Sequence, residues 1–236
     1  MKEKTAFLTG ASGGIGKAIA EALLENGYKL YACAGKHADE LDGLKNRYHD
    51  SLHILTGDIS DAATVKGFFE NVTDLDLLIN CAGISYVGLL QDMTDEDWKT
   101  TMGINLDSVF FCCREAIPLF LKNSCGRIIN ISSVWGNVGA STEVAYSASK
   151  GGMNSLTKAL AKELAPSGIA VNALACGFID TKMNSHLSDE EKQAVIDEIP
   201  ACRMCTVSEV ADAVCLLAKM PVYMTGQIIT IDGGWT

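Results

Sequence analysis

Short apolar segments alternate with longer amphipathic segments along the whole chain, and this alternation restricts the fold more than any other feature. Segments such as Leu77–Ile79 and Ile128–Ile131 are mostly apolar, which is typical of strands that are buried on both faces of a sheet. A regular alternation of strands and helices indicates a parallel sheet with right-handed crossovers and helices on both faces. The sequence therefore predicts an α/β fold.

The predicted elements run from one end of the chain to the other without a linker, repeat or low-complexity stretch. Seven strands are predicted at 4–9, 28–34, 52–57, 75–80, 126–132, 169–174 and 227–231. Seven helices are predicted at 14–26, 38–48, 61–72, 95–122, 144–165, 187–198 and 207–219. We expect residues 1–236 to form one domain, because α/β folds of this length often do not divide. Residues 176–204 have the weakest pattern and are the candidate for a substrate lid.

The overall composition excludes several classes of function. A net charge of −10 without any basic cluster argues against a nucleic-acid-binding surface. No apolar run reaches the length of a membrane span, and the N-terminal segment lacks the apolar core of a signal peptide. Together with nine cysteines, an odd number, these features predict a protein of the reducing cytoplasm that does not bind membranes.

The pair Cys202 and Cys205 forms a C-x-x-C pattern, for which zinc binding and redox chemistry are the two functional interpretations. Zinc would need two further ligands, and no matching pair follows in the sequence. A redox motif normally lies at a strand-to-helix turn of a thioredoxin-like unit, not late in a long α/β chain. We therefore predict no metal site.

A glycine-rich loop follows the first strand and leads directly into a helix. Glycines allow the backbone to turn sharply and to approach a pyrophosphate, and the helix N-terminus attracts that anion. The position of the loop within a βαβ unit distinguishes it from an ordinary tight turn. The sequence therefore predicts a dinucleotide site whose first loop contributes Gly10, Ser12, Gly13, Gly14, Ile15 and Gly16.

The residues after the second and third strands bear on the choice of dinucleotide. An NAD site usually has an acid at the tip of the second strand, whereas an NADP site replaces it and supplies a cation. This chain has no acid there, and Lys36 lies close by, so the prediction is NADP(H). Asp58, followed by Ile59, is placed to accept a hydrogen bond from the adenine amino group. Its alternative role is the N-cap of the helix predicted at 61–72.

Tyr146 and Lys150 are four residues apart in a predicted helix and therefore lie on the same face. A nearby cation lowers the pKa of a phenol towards the range in which acid–base catalysis operates. Ser133, at the end of a predicted strand, is placed to hydrogen-bond a carbonyl oxygen. The alternative interpretation of the pair is an ordinary amphipathic helix with an exposed Tyr and Lys.

Together these motifs resemble the short-chain dehydrogenase/reductase family, in order and along nearly the whole chain. Besides the residues named above, the resemblance includes Asn80, Ala82 and Gly83 of an NCAG segment beside the cofactor, Asn105, and Thr225-Gly226-Gln227 with Asp232-Gly233-Gly234 near the end. The resemblance implies a Rossmann-type sheet of seven parallel strands between two helical layers, and usually a homotetramer.

The resemblance also implies roles for individual residues. Tyr146 would donate a proton to the substrate carbonyl, and Lys150 would lower the pKa of Tyr146 and hold the nicotinamide ribose. Ser133 would hydrogen-bond the carbonyl oxygen, and Asn105 would hold a water in the proton relay. The nicotinamide carboxamide would be held by a segment after the sixth strand that includes Gly177, Ile179 and Thr181.

Among relatives, the pattern is most similar to bacterial 3-oxoacyl-acyl-carrier-protein reductases. Those enzymes meet an acidic carrier protein through basic residues near the site mouth, at positions that match Ser124 and Ser167 here. The segments around Trp135 and Trp235 also resemble reductases of an aminopentanone-modified lysine on elongation factor P. Hydroxysteroid dehydrogenases share the same catalytic set. A non-catalytic protein that senses dinucleotides is the alternative from another functional class.

Overall fold

The computed structural model describes residues 4–236, which contain one seven-stranded sheet with every strand parallel to its neighbours. The spatial order is β3-β2-β1-β4-β5-β6-β7. The strands are β1 Lys4–Leu8, β2 Tyr28–Ala34, β3 Leu52–Thr56, β4 Leu77–Asn80, β5 Gly126–Ser133, β6 Ile169–Cys176 and β7 Ile228–Ile231. The predicted α/β fold with a seven-stranded parallel sheet is confirmed.

Helices cover both faces of this sheet, so the core consists of two apolar layers. Their bounds are α1 Gly14–Glu25, α2 Asp42–Tyr48, α3 Ala62–Phe69, α4 Asp95–Met102, α5 Ser108–Asn123, α6 Trp135–Val138, α7 Val144–Leu164, α8 Asp189–Glu198 and α9 Val207–Leu217. Residues of α1, α2 and α9 fill one layer, and residues of α3, α5 and α7 fill the other. Each fully buried Leu, Ile or Phe side chain contributes about 2 kcal/mol to the free energy of folding.

The segment predicted as one helix at 95–122 is interrupted in the structure. Gly103–Asp107 forms a π-helical turn that joins α4 to α5. Single π turns inside longer helices often occur at functional sites, and this one carries Asn105. Nothing in the local sequence distinguishes this turn from an ordinary helix. The turn is held instead by hydrogen bonds from Asn105 to residues that are distant in the sequence.

The order of the strands creates a crevice at the carboxyl ends of the two central strands, β1 and β4. The chain passes from β1 to β2 on one side and from β4 to β5 on the other, so the loops after β1 and β4 diverge. Such a switch point, at the carboxyl ends of parallel strands, is where ligands bind in open α/β sheets. The predicted catalytic and cofactor residues lie at the carboxyl ends of strands, in the segments that follow them, or on the helices beside them.

No helix within residues 4–236 combines the length and the apolar character needed to cross a lipid bilayer.

Candidate active site

Tyr146 and Lys150 lie in the first two turns of α7, and the structure brings both close to Ser133 at the end of β5. The Lys150 Nζ atom is 5.6 Å from the ring centroid of Tyr146. It also donates a hydrogen bond of 2.8 Å to the carbonyl oxygen of Ile131. The Ser133 hydroxyl lies within interaction range of the Tyr146 phenol, whose pKa it lowers. The Tyr146 phenol and the Lys150 ammonium of α7 therefore lie close to the Ser133 hydroxyl of β5.

Burial dominates the acid–base properties of this group. It raises the pKa of Tyr146 above the usual phenol value, while the Ser133 hydroxyl acts in the opposite direction. The expected lowering of the Tyr146 pKa by Lys150 is therefore not found. Burial also lowers the pKa of Lys150 from 10.5 to about 8, because a buried ammonium loses its hydration.

Asn105 uses its side-chain amide to join three segments of the chain. Its Oδ1 atom accepts a hydrogen bond from the Ile84 N–H at 2.9 Å, and its Nδ2 atom donates to the Ile84 carbonyl at 2.9 Å. The same Nδ2 donates to the Ser149 hydroxyl of α7 at 3.0 Å. Asn105 is fully buried, so these bonds fix the loop after β4 against α7. They also give the reason for the π turn, which directs this amide inward.

Buried polar side chains hold α7 against the sheet and so set the position of Tyr146. Asn80 of β4 donates to Asn130 of β5 at 2.8 Å, and Asn130 donates to Thr157 of α7 at 2.8 Å. Ser132 donates to Asn154 of α7 at 2.6 Å. A buried polar group without a partner costs about 1 to 3 kcal/mol, so these bonds define how α7 lies on the sheet. The sequence analysis did not identify Asn130, Ser132, Asn154 or Thr157.

The predicted glycine loop has the close backbone contacts that a dinucleotide cradle requires. Gly10 has a φ of +67°, and a Cβ atom there would lie 2.7 Å from the Cα of Ala82. A Cβ atom at Gly16 would lie 2.0 Å from the Gly10 carbonyl oxygen. Gly13 and Gly14 are exposed at the N-terminus of α1, whereas Ser12 is half-buried and Ile15 packs against the core. The loop therefore leaves free N–H groups open to an anion.

Thr9 joins two segments of the crevice, and the sequence analysis did not single it out. Its hydroxyl oxygen accepts hydrogen bonds from the N–H groups of Cys81 at 2.9 Å and Ala82 at 3.1 Å. It thereby joins the glycine loop to the segment after β4. A Thr at the end of a strand, directly before a glycine loop, was the only signal in the sequence.

The NCAG segment after β4 is divided between the interior and the crevice. The Asn80 side chain lies in the interior with Asn130 and Cys113, so it does not extend into the crevice as a cofactor ligand would. Ala82 lies against Gly10. Gly83 lies beside Lys150, because a Cβ atom there would be 3.4 Å from Nζ.

The structure also tests the residues expected near the adenosine. Lys36 is exposed, and its side chain has no hydrogen bond or ion pair with residues 4–236. Asp58 is exposed and accepts hydrogen bonds from the N–H and hydroxyl of Ser60 through Oδ1. The N-cap of α3 is Asp61, so the alternative capping role for Asp58 was wrong. Ile59 packs against the apolar core.

The segment proposed as a lid is firmly attached at both ends. Ile179 pairs with Cys205 in an isolated β-bridge, and its side chain is buried in the core. Gly177 donates a backbone hydrogen bond to Ile231 at 2.9 Å. Thr181 lies beside the glycine loop, since a Cβ atom at Gly14 would be 3.1 Å from its Cγ2. Thr181 therefore reaches the glycine loop. Gly177 lies against Ile231 and Asp232, and Ile179 can contribute only its backbone.

Ser124 and Ser167 lie at the amino ends of the strands, on the side of the sheet opposite to the crevice. They line a shallow cavity of about 380 Å³ just before β5 and β6 begin. Within one chain they are therefore remote from Tyr146, which lies at the carboxyl ends of the strands. The expectation that these positions lie near the site mouth was wrong for the single chain.

The crevice fits a dinucleotide, because it combines a cradle that only glycine can form, an exposed helix N-terminus and an unpaired exposed cation. Comparison with known proteins agrees. The short chain dehydrogenase family model matches residues 4–192. The oxidoreductase YmfI of Bacillus subtilis, whose name calls it uncharacterized, is 39% identical over 98% of both chains.

Two further relatives have different names. A 3-oxoacyl-[acyl-carrier-protein] reductase of Staphylococcus aureus is 40% identical over 98% of this chain and 97% of its own. Nodulation protein G of a Rhizobium species is 39% identical over 98% and 96%. A crystal structure of a candidate gluconate dehydrogenase from Agrobacterium tumefaciens superposes with a TM-score of 0.92 at 31% identity, covering 98% of this chain and 95% of its own.

The matched family model covers most of the chain, and the relatives cover nearly all of it. The solved structure from Agrobacterium tumefaciens shares the overall fold described above. Members of this family bind a nicotinamide dinucleotide and act on small molecules. The protein is an oxidoreductase and belongs to the short-chain dehydrogenase family.

Proposed function

We propose that the protein is an NADPH-dependent ketoreductase that converts a substrate carbonyl to an alcohol. The observation that carries the proposal is the convergence of Ser133, Tyr146 and Lys150 at the same sheet edge as the glycine loop. In this reaction the carbonyl carbon gains a hydride and the carbonyl oxygen gains a proton. The bound nicotinamide would supply the hydride, and the chain supplies the proton and the orientation.

Each catalytic residue has a role that its environment supports. Tyr146 donates the proton, and its raised pKa keeps it protonated before the reaction. Ser133 hydrogen-bonds the carbonyl oxygen and orients it towards the phenol. Lys150 supplies a positive charge that stabilises the phenolate formed after proton transfer, and it holds the nicotinamide ribose. Asn105 keeps the loop after β4 against α7, and we propose that it also holds a water in the proton relay.

The preference for NADP(H) over NAD(H) rests on Lys36. Its exposed ammonium has no protein partner within the described residues, so it is free to bind a 2′-phosphate. The other groups proposed to contact the cofactor fall into three sets along the crevice. These are the loop of Gly10, Ser12, Gly13, Gly14, Ile15 and Gly16, the adenosine side with Asp58 and Ile59, and the nicotinamide side with Ala82, Gly83, Gly177, Ile179 and Thr181.

For the substrate, the first hypothesis is a 3-oxoacyl thioester, on acyl carrier protein or free. It is supported by relatives at about 40% identity that are named as 3-oxoacyl-[acyl-carrier-protein] reductases. The second hypothesis is the aminopentanone-modified lysine of elongation factor P. It is supported by the resemblance of the segments around Trp135 and Trp235 to reductases of that substrate. The ring centroids of these two residues lie 4.9 Å apart, and the backbone N–H of Trp135 donates a hydrogen bond to the Ser133 hydroxyl.

We also propose that the protein forms a homotetramer in the cytoplasm. Three large apolar side chains on α4 and α5 are exposed in the single chain, namely Trp98, Phe110 and Leu121. Apolar side chains exposed on two consecutive helices are consistent with a subunit interface. Sedimentation velocity tests the assembly, since a purely monomeric species at micromolar concentration contradicts it.

The proposed function is tested by following NADPH oxidation with a 3-oxoacyl thioester, a steroid ketone and modified elongation factor P. We expect turnover of at least one carbonyl substrate and a rate that falls when NADH replaces NADPH. Tight NADPH binding without turnover of any carbonyl would instead support the non-catalytic alternative.

A further inference from the structure

The short helix α6 carries the backbone group that contacts the Ser133 hydroxyl. The Trp135 N–H donates a hydrogen bond of 3.2 Å to the Ser133 Oγ atom. A serine hydroxyl can accept two hydrogen bonds but has only one proton to donate. Because this N–H occupies one acceptor position, the Ser133 O–H remains free to donate to the carbonyl oxygen of a substrate. The position of α6 therefore influences how the Ser133 hydroxyl is oriented.

Two asparagines join α6 to the helix that carries Tyr146. The Asn154 Nδ2 atom of α7 donates a hydrogen bond of 2.9 Å to the Asn137 Oδ1 atom of α6. Asn154 is only 5% exposed, whereas Asn137 is exposed. Gly136 allows this close approach, since a Cβ atom there would lie 2.8 Å from the Lys150 carbonyl carbon and 3.0 Å from Asn154 Nδ2. The two helices are therefore in direct contact beside Lys150.

Asn154 is itself fixed by the strand that carries Ser133. Its Oδ1 atom accepts a hydrogen bond of 2.6 Å from the hydroxyl of Ser132, the residue before Ser133 on β5. Both partners of this bond are buried, so the loss of either would leave a polar group unsatisfied. The bonds form a closed path from β5 to α7 through Asn154, from α7 to α6 through Asn137, and back to β5 through the Trp135 N–H. The path begins at Ser132 and ends at the adjacent catalytic serine.

The bond between Asn137 and Asn154 is not needed to hold α7 against the sheet. Ser132 and Asn154 already join β5 to α7 through a buried hydrogen bond of their own. Asn137 instead lies on an exposed helix of only four residues, which gains its position from the contact with α7. The bond therefore fixes α6, and α6 contacts the catalytic set through the hydrogen bond from Trp135 to Ser133.

We propose that Asn137 and Asn154 are positioning residues that orient the Ser133 hydroxyl towards the substrate carbonyl. Without their bond, α6 and its Trp135 N–H can move away from the sheet, and the Ser133 side chain can rotate among its staggered positions. A hydroxyl that rotates spends part of its time turned away from the oxygen that Tyr146 protonates, so hydride transfer becomes slower. This inference rests on the proposed ketoreductase function and adds two residues to its machinery.

The test measures hydride transfer in single turnovers, followed by the loss of NADPH fluorescence with enzyme in excess over NADPH. The substrate, at saturating concentration, is the carbonyl compound of the panel above that the wild-type protein reduces fastest. Asn137→Ala removes the acceptor at an exposed position, so the fold and the NADPH dissociation constant should be retained. We expect this variant to transfer hydride about tenfold more slowly than the wild-type protein. Asn137→Asp keeps an acceptor of the same length for the Asn154 amide and should stay within about twofold of the wild-type rate.

Asn26→Ala is the matched control, since it removes another exposed, hydrogen-bonded amide at the end of α1 and should leave the rate unchanged. A double-mutant cycle then separates the orientation of Ser133 from a general loosening of the site. In a Ser133→Ala background there is no hydroxyl to orient, so adding Asn137→Ala or Asn154→Ala should lower the rate by less than about twofold.

Two results overturn the inference and leave the proposed function intact. One is an Asn137→Ala rate within about twofold of an active wild-type protein. The other is a loss of about tenfold that persists in the Ser133→Ala background, because Asn137 would then act through another group. If the wild-type protein oxidises NADPH with no carbonyl of the panel, the proposed function is contradicted, and this inference with it.

Discussion

The Lys150 ammonium lies beside the Tyr146 ring and is bound to the carbonyl oxygen of Ile131, two residues before Ser133 on β5. One buried cation thus joins the helix that carries the phenol to the strand that carries the hydroxyl. Lys150 is only 3% exposed, and no carboxylate pairs with it among the described residues. Burying this cation without a carboxylate partner lowers the stability of the fold.

That cost has a measurable dependence on pH. Burial lowers the pKa of Lys150 from 10.5 to about 8, so the unfolded chain binds more protons than the folded chain between these values. The free energy of unfolding of the cofactor-free protein should therefore rise with pH across this window. Compared with Lys150→Met, the wild-type protein should gain about 2 kcal/mol between pH 7 and pH 10.

The difference between wild-type protein and Lys150→Met is the informative quantity in urea unfolding. Titration of the remaining tyrosines and cysteines occurs in both proteins and largely cancels. A difference that stays constant from pH 7 to pH 10 would mean that Lys150 is not a buried ammonium with a lowered pKa.

Thr9 connects the two halves of the crevice, and its hydroxyl is tested by Thr9→Val. This change preserves shape but leaves the half-buried N–H groups of Cys81 and Ala82 without the Thr9 acceptor. We expect a loss of about 2 kcal/mol in the free energy of unfolding and weaker NADPH binding. Thr9→Ser keeps the hydroxyl and should retain NADPH affinity. Equal affinity in both variants would show that the connection does not shape the cofactor site.

Much of the fold could be predicted because it depends on local patterns. Mostly apolar strands such as Leu77–Asn80 and the glycine loop at Gly10 are recognisable without knowledge of their neighbours. The π turn at Gly103–Asp107 is different, because it arises from bonds between Asn105 and residues on two other segments. No window of sequence contains both partners of those bonds.

In the candidate site too, local spacing could be predicted from the sequence, whereas properties that depend on tertiary packing could not. The four-residue spacing of Tyr146 and Lys150 predicted their proximity, but it did not predict which influence on the Tyr146 pKa would dominate. Desolvation depends on everything packed around the phenol, and a sequence does not show it. Asn80 is a similar case, because its partner Asn130 lies fifty residues away on β5.

The proposed preference for NADP(H) rests on the Lys36 ammonium, which has no ion pair within the described residues. Removing it by Lys36→Ala should lower kcat/KM for NADPH by about tenfold, since one exposed charge pair with a phosphate is lost. The value for NADH, which lacks that phosphate, should change less than about twofold. Lys66→Ala, which removes another exposed ammonium from α3, should alter neither value. A wild-type preference for NADH would contradict the assignment.

The central claim is that Tyr146 donates the proton to the substrate carbonyl. Tyr146→Phe removes one oxygen atom from a half-buried ring, and Tyr223→Phe makes the same change at a fully exposed position. The decisive measurement is kcat for ketone reduction at saturating NADPH, together with the NADPH dissociation constant of each variant. We predict that Tyr146→Phe lowers kcat by about a thousandfold with little change in NADPH affinity, while Tyr223→Phe matches the wild-type protein. A Tyr146→Phe enzyme that retains kcat within about tenfold would contradict the account.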